Sequence, residues 1–236
     1  TTVNTYMASH LLNEGKKILF IDCCMQSNST SFLTKMYGYE KPIAKLSTSL
    51  ISGKFETSLN NITEQLTIIS ADGEEDIFIS GQRGKETYLK RLLQKDPIKK
   101  VLENEVDYII FDLPPNLSPL SENLLMIADK LMIISSTNQF SSEGINLAVN
   151  KLTQLKDDLE AKFKIEGLII NKYNPSHTAS IKLFNNEINL ENLDTNTVFY
   201  IRQDAGFNKG QNKGQYNLPV HVKIELEKII SSLTND

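Results

Sequence analysis

With 236 residues, 40% of them hydrophobic and 23% charged, the chain is long enough for one sizeable core and has the composition of an ordinary globular domain. A net charge of −4 excludes a global basic field as the source of any nucleic-acid affinity, which would have to come from a local patch. No apolar run reaches the ~18 residues of a membrane span and no secretory signal is visible. The two cysteines, Cys23 and Cys24, are adjacent, and sequence neighbours rarely bridge, which fits a reducing cytoplasm.

In chain order, Thr5–Asn13 reads as a helix with Tyr6, Leu11 and Leu12 on one face. A strand follows over Lys17–Ile21, ending at Asp22, and another over Leu66–Ser70. Helical spacing runs through Leu89, Leu92, Leu93, Ile98, Val101 and Leu102 within Tyr88–Leu102, with Pro97 as a break or restart. The next strands are Tyr108–Phe111, ending at Asp112, and Lys130–Ser135. A helix over Ser141–Leu159 leads to strands at Ile165–Asn171 and Thr197–Ile201. The last element is a helix over Val220–Leu233. The strand segments are short apolar runs without alternation, as in strands covered on both faces. Strands alternating with helices predict a single α/β domain over residues 1–236, with a doubly wound, mostly parallel sheet and helices on both faces. The polar positions of the final helix mix Lys223, Glu225, Glu227 and Lys228, so it reads as a core-packing helix rather than a basic membrane-surface one.

Ligands of open α/β sheets bind beyond the carboxyl ends of the strands. Asp22 and Asp112 both stand at such ends. A carboxylate there either holds Mg²⁺ beside a phosphate chain or caps a helix, and the presence of two favours the metal. Two other segments imitate a phosphate loop and fail its chemistry. Gly81-Gln82-Arg83-Gly84-Lys85-Glu86-Thr87 places Glu86 where a hydroxyl is needed, and Ser52-Gly53-Lys54-Phe55 lacks the leading glycine. Both read as turns into helices. Cys23-Cys24, without further cysteines and with three histidines in the chain, is a poor redox or soft-metal motif.

The stretch Val106-Asp107-Tyr108-Ile109-Ile110-Phe111-Asp112-Leu113-Pro114-Pro115-Asn116-Leu117 resembles the Walker B segment of the ParA family of partition ATPases, roughly YDYIIIDxPPSLG. Leu19-Phe20-Ile21-Asp22-Cys23-Cys24-Met25-Gln26-Ser27-Asn28-Ser29-Thr30 resembles that family's LLIDxDPQGNAT. Met132–Gly144 is similar to its VIPVQPxxxxxxG stretch and Gly167–Asn174 to its GILLTxYD stretch. The resemblance covers roughly residues 1 to 233. It implies a P-loop ATPase that binds ATP with Mg²⁺, forms a homodimer on ATP binding, binds DNA without sequence preference and answers to a ParB-like partner, in a nucleoid-associated, cytoplasmic setting without membrane attachment.

The family's glycine-rich loop, KGGxGKT, would precede residue 1. Counting back from Gly15-Lys16 puts Thr1 at the loop's Mg²⁺-ligating hydroxyl and Thr2 near the α-phosphate. The resemblance assigns metal binding to Thr1, Asp22 and Asp112, and nucleotide contact to Thr1, Thr2, Asn171 and Asp204. It places catalysis on Asp22 and on the position of Cys24, where the family carries an aspartate that polarises water. A thiol cannot replace that carboxylate, so slowed hydrolysis is expected. The alternative is a catalytically inactive or truncated ParA-like binding module. The polar, glycine-punctuated stretch from Arg202 resembles IPRxxxxxEAxxxGKP, making Arg202, Lys209 and Lys213 the DNA-binding candidates.

Overall fold

In a computed structural model of the chain, described over residues 1–94, 106–136, 142–174, 197–204, 206, 216 and 218–234, the fold divides into two compact units. The first comprises Thr1–Leu124 with Tyr216, and the second begins at Leu125 and includes the C-terminal helix.

The first unit opens with helix α1 (Thr2–Asn13), which buries Val3, Ala8, Leu11 and Leu12. It starts three residues before the expected Thr5, because the Thr1 carbonyl accepts both the amide and the hydroxyl of Thr5 and closes an extra turn. Strand β1 (Ile18–Asp22) is buried throughout, as its unbroken apolar run requires. Helices α2 (Asn28–Met36) and α3 (Leu46–Ser52) follow, then the two-residue strand β2 (Asn60–Asn61) and strand β3 (Leu66–Ser70). Helices α4 (Glu74–Ser80) and α5 (Tyr88–Leu93), strand β4 (Tyr108–Asp112) and helix α6 (Pro119–Leu125) complete the set. The sheet order is β2-β3-β1-β4, with β1 parallel to both neighbours and β2 antiparallel to β3. Helices α2, α3, α4 and α6 and strand β2 were not expected; each has nine residues or fewer and little apolar periodicity. The expected run to Leu102 lies partly outside the described residues. Both imitation loops are turns: Gly53 caps α3 in a left-handed conformation, and Lys85–Thr87 forms a 3₁₀ turn into α5.

The second unit has a three-stranded parallel sheet, β5 (Lys130–Ser136), β6 (Lys164–Tyr173) and β7 (Val198–Arg202), in that order. Helix α7 (Ser142–Asp158) connects β5 to β6. Helix α8 (Val220–Thr234) packs on β7 and buries Val222, Leu226, Ile229 and Ile230, so its apolar face belongs to the core. Ile224 of the same helix is 46% exposed and lies off that face. All six expected strands are present within two residues of their expected ends, and the mostly parallel α/β class is the observed one.

The register of β5 on β6 slips between Leu131 and Met132, so that Met132 faces Gly167 and Glu166 is the extra residue. Gly167 has φ +153°, and a Cβ there would lie 2.5 Å from the Thr197 carbonyl oxygen, which already accepts the Leu168 amide. Gly167→Ala is therefore expected to destabilise the protein by about 1–3 kcal/mol, read as a lower urea midpoint with an unchanged m-value.

Candidate functional site

The chain order reverses at β1, with β3 paired on one side and β4 on the other. The carboxyl ends of β1 and β4 thus flank a topological switch point, the place where open α/β sheets bind ligands. Register aligns Asp22 with Asp112 across β1 and β4, and Asp22 with Ser70 across β1 and β3. The two acids are 0% and 1% exposed. One ligand atom from each of Asp22, Asp112 and Cys24 falls within 4.8 Å of the others.

Helix α2 donates to both carboxylates, and α1 adds a donor to Asp112. Asp22 Oδ2 accepts the Thr30 amide at 2.9 Å and the Thr30 hydroxyl at 2.8 Å, both from the first turn of α2. Its Oδ1 accepts the Cys24 amide at 3.1 Å. Asp112 Oδ1 accepts Asn4 Nδ2 of α1 at 2.9 Å and lies 2.8 Å from the main-chain nitrogen of Thr1, while the Ser29 hydroxyl donates to Oδ2. Burial pushes the Asp22 carboxyl above its ordinary pKa and the nearby Asp112 charge adds to the rise, while the bonds from Thr30 and Cys24 oppose it. Two buried carboxylates this close repel each other, and a hard divalent cation would relieve both costs. The donor chemistry fits Mg²⁺, which prefers carboxylate and hydroxyl oxygen.

Cys24 is half-buried, and its Sγ points to the Asp112 carbonyl at 3.8 Å. Burial, then the charges of Asp112 and Asp22, push its thiol up to about 11. It therefore stays protonated at neutral pH and cannot serve as a carboxylate-like base. Cys23 is buried, and its Sγ is 3.7 Å from the Ile21 carbonyl oxygen.

Residues 1–165 match a protein family described as AAA domain. The chain belongs to that family, and it is a ParA/MinD-type P-loop ATPase homologue. Among curated relatives it is 27% identical over 178 residues to the sporulation initiation inhibitor protein Soj of Bacillus subtilis, covering 72% of this chain and 66% of Soj. The first four such relatives are covered over 61% to 68% of their length, so the chain spans about two thirds of each. Among solved structures, apo McdA from Cyanothece superposes with a TM-score of 0.73 at 22% identity, over 98% of this chain and 93% of McdA. A plasmid partition protein from Borrelia burgdorferi bound to AMPPNP gives 0.72 at 18% identity, over 98% and 91%. At these identities the structures establish the ParA/MinD fold.

Of the sequence-derived candidates, Thr1, Asp22, Cys24 and Asp112 come together in this ParA/MinD-type fold, with Thr2 opening α1 beside Thr1. Asn171 and Asp204 belong to the second unit. Asn171 Oδ1 accepts the Lys172 amide at 2.9 Å, and Asp204 Oδ1 accepts the Gly206 amide at 2.6 Å, so each carbonyl or carboxylate shapes a local turn. Arg202 pairs with Glu225 of α8 at 3.0 Å. Lys209 and Lys213 lie outside the described residues. Sequence reading gave no role to Asn4, Ser29 or Thr30. Ser29-Thr30 sat inside a family-like segment and could have been suspected, whereas Asn4 is 108 positions from Asp112 and left no local signal.

Thr30→Val removes a hydroxyl that favours ionised Asp22, so the Asp22 pKa should climb further in the folded variant. The folded variant then binds its proton to higher pH than the wild type does, and its stability deficit grows as pH rises through that interval. Urea unfolding in chelator-treated buffer should give a deficit of about 1–3 kcal/mol at pH 8 and a smaller one at pH 5.

Proposed function

We propose that this chain works as a ParA-like, ATP-dependent partition protein of plasmids or chromosomes. The supporting observation is the pair of buried carboxylates, Asp22 and Asp112, aligned on neighbouring strand ends with Thr1 beside them. In this reading Thr1, Asp22 and Asp112 would hold Mg²⁺, which neutralises phosphate charge when bound. Thr2 would lie near the α-phosphate, and Asn171 and Asp204 would meet the base and ribose. The chain would act as one ParA-like ATPase domain. ATP would join two copies face to face, and the dimer would bind DNA without sequence preference through Arg202, Lys209 and Lys213. A ParB-like partner would stimulate hydrolysis and release, at the nucleoid in the cytoplasm. Among the described residues no helix is long and apolar enough to cross a membrane.

Titrating a fluorescent ATP analogue into the full-length protein, with and without Mg²⁺, tests the reading. Mg²⁺-dependent binding that is lost in Asp22→Asn and Asp112→Asn is expected. Absence of binding to the wild type would refute it.

One observation favours a second reading, a ParA-like module without turnover. Cys24 is a protonated thiol where the family's water-polarising aspartate stands. Cys24→Asp is expected to raise ATP turnover at least about tenfold, since positioning the attacking water is a large part of phosphoryl-transfer catalysis. Unchanged turnover with binding intact favours the inactive module.

Lys209→Ala with Lys213→Ala should weaken retention on nonspecific DNA at low salt and flatten its salt dependence. Equal retention moves the DNA-binding surface elsewhere.

A further inference from the structure

Ser27 adopts a left-handed conformation, φ 49°, just ahead of α2, at a position where the resembling family segment carries glycine. That conformation costs a non-glycine residue free energy and persists where surrounding contacts hold it. Here the Ser27 hydroxyl lies 3.3 Å from the Ala71 carbonyl oxygen, and the charged contact comes from Lys45, the residue preceding α3. Its Nζ donates to Ser27 Oγ at 2.9 Å, to Ser70 Oγ at 2.8 Å and to the Ala71 carbonyl at 3.3 Å. The Ser27 and Ser70 hydroxyls are themselves 3.0 Å apart. Among the described residues no carboxylate lies within ion-pair distance of Lys45, so all three donors of a half-buried cation go to neutral oxygens.

The geometry points to Lys45 as a positioning residue for the turn Cys24–Ser27. Ser70 is the register partner of Asp22, so the ammonium fastens this turn to the β3 tip next to the carboxylate site. The Ser27 amide closes the turn on the Cys24 carbonyl at 2.8 Å, and the Cys24 amide bonds Asp22. The Lys45 ammonium therefore acts through Ser27 on the placement of Cys24 and, through it, of Asp22. Serine at 27 supplies an oxygen that glycine would lack, and Lys45 offsets the strain that serine brings. The pair replaces conformational freedom with a side-chain clamp.

This inference rests on the nucleotide-binding reading for its functional meaning, but the clamp can be measured without nucleotide. Cys24 is half-buried and Cys23 buried, so alkylation of Cys24, assigned by mass spectrometry, reports opening of the turn. Lys45→Met keeps the aliphatic stem, and the backbone of residue 45 still bridges Ser70. Lys45→Met is expected to speed Cys24 alkylation by about tenfold or more, the scale of one lost charge-assisted hydrogen bond, with a small change in Tm. Ser27→Ala should give a similar acceleration, and the double variant no more than either alone. Lys45→Arg should recover part of the wild-type rate.

Wild-type rates in Lys45→Met, or accelerations that multiply in the double variant, would overturn the clamp. A parallel arm adds Mg²⁺ and an ATP analogue to the wild type, where protection of Cys24 is expected. If the wild type gains no protection while Lys45→Met still accelerates labelling, the nucleotide reading fails and the clamp stands. If protection occurs but Lys45→Met labels like the wild type, the clamp fails and the nucleotide reading stands.

Discussion

Two carboxylates buried side by side at the ends of adjacent parallel strands are the constraint on which the first unit is organised. Each is shut away from water, and each repels the other. Burial on this scale is tolerated because every carboxylate oxygen receives donors: an amide and a hydroxyl from α2 and the Cys24 amide on Asp22; a side-chain amide from α1, the Thr1 nitrogen and a serine hydroxyl on Asp112. The two helices are consequently fixed to the strand tips by polar bonds as well as by apolar packing. The arrangement concentrates two carboxylates at the strand tips and offsets their burial with oriented donors.

That constraint explains why the turn after Asp22 matters. The segment leaving β1 must bring the Cys24 amide to Asp22 and then start α2 so that Thr30 can reach back to the same carboxylate. A left-handed residue at 27 makes the reversal, and Lys45, just ahead of α3, secures it. Glu75 performs a related service at the other end of this region, accepting the Ser47 amide of α3 and the amides of Asp72 and Gly73. Burial raises the Glu75 pKa, with the Asp72 charge adding to the rise. The supports of the site are thus polar side chains capping short helices, each too short to be stable alone.

The chemistry departs from the family at Cys24. A thiol that burial keeps protonated is no carboxylate-like base and adds no hard ligand beside Asp22 and Asp112.

Sequence alone determined the strands, the parallel class and both strand-end acids, because short apolar runs between helical segments are local signals; the expected cover on both faces holds for β1 and β3, whereas Ile109 of β4 and Ile134 of β5 are each 38% exposed. It also exposed Cys24 as a departure, since local motif spacing survives in one dimension. The contributions of Asn4, Ser29 and Lys45 were decided by tertiary structure. Their partners lie 108, 83 and up to 26 residues away, and polar side chains of this kind carry no periodicity that would announce a contact. The short helices were hidden for the same reason: capping bonds and the strand tips define them, not an apolar stripe. The adjacency of Asp22 and Asp112 was the decisive tertiary fact, because strand order is set by how the chain folds back on β1, and no local feature of either segment specifies its neighbour.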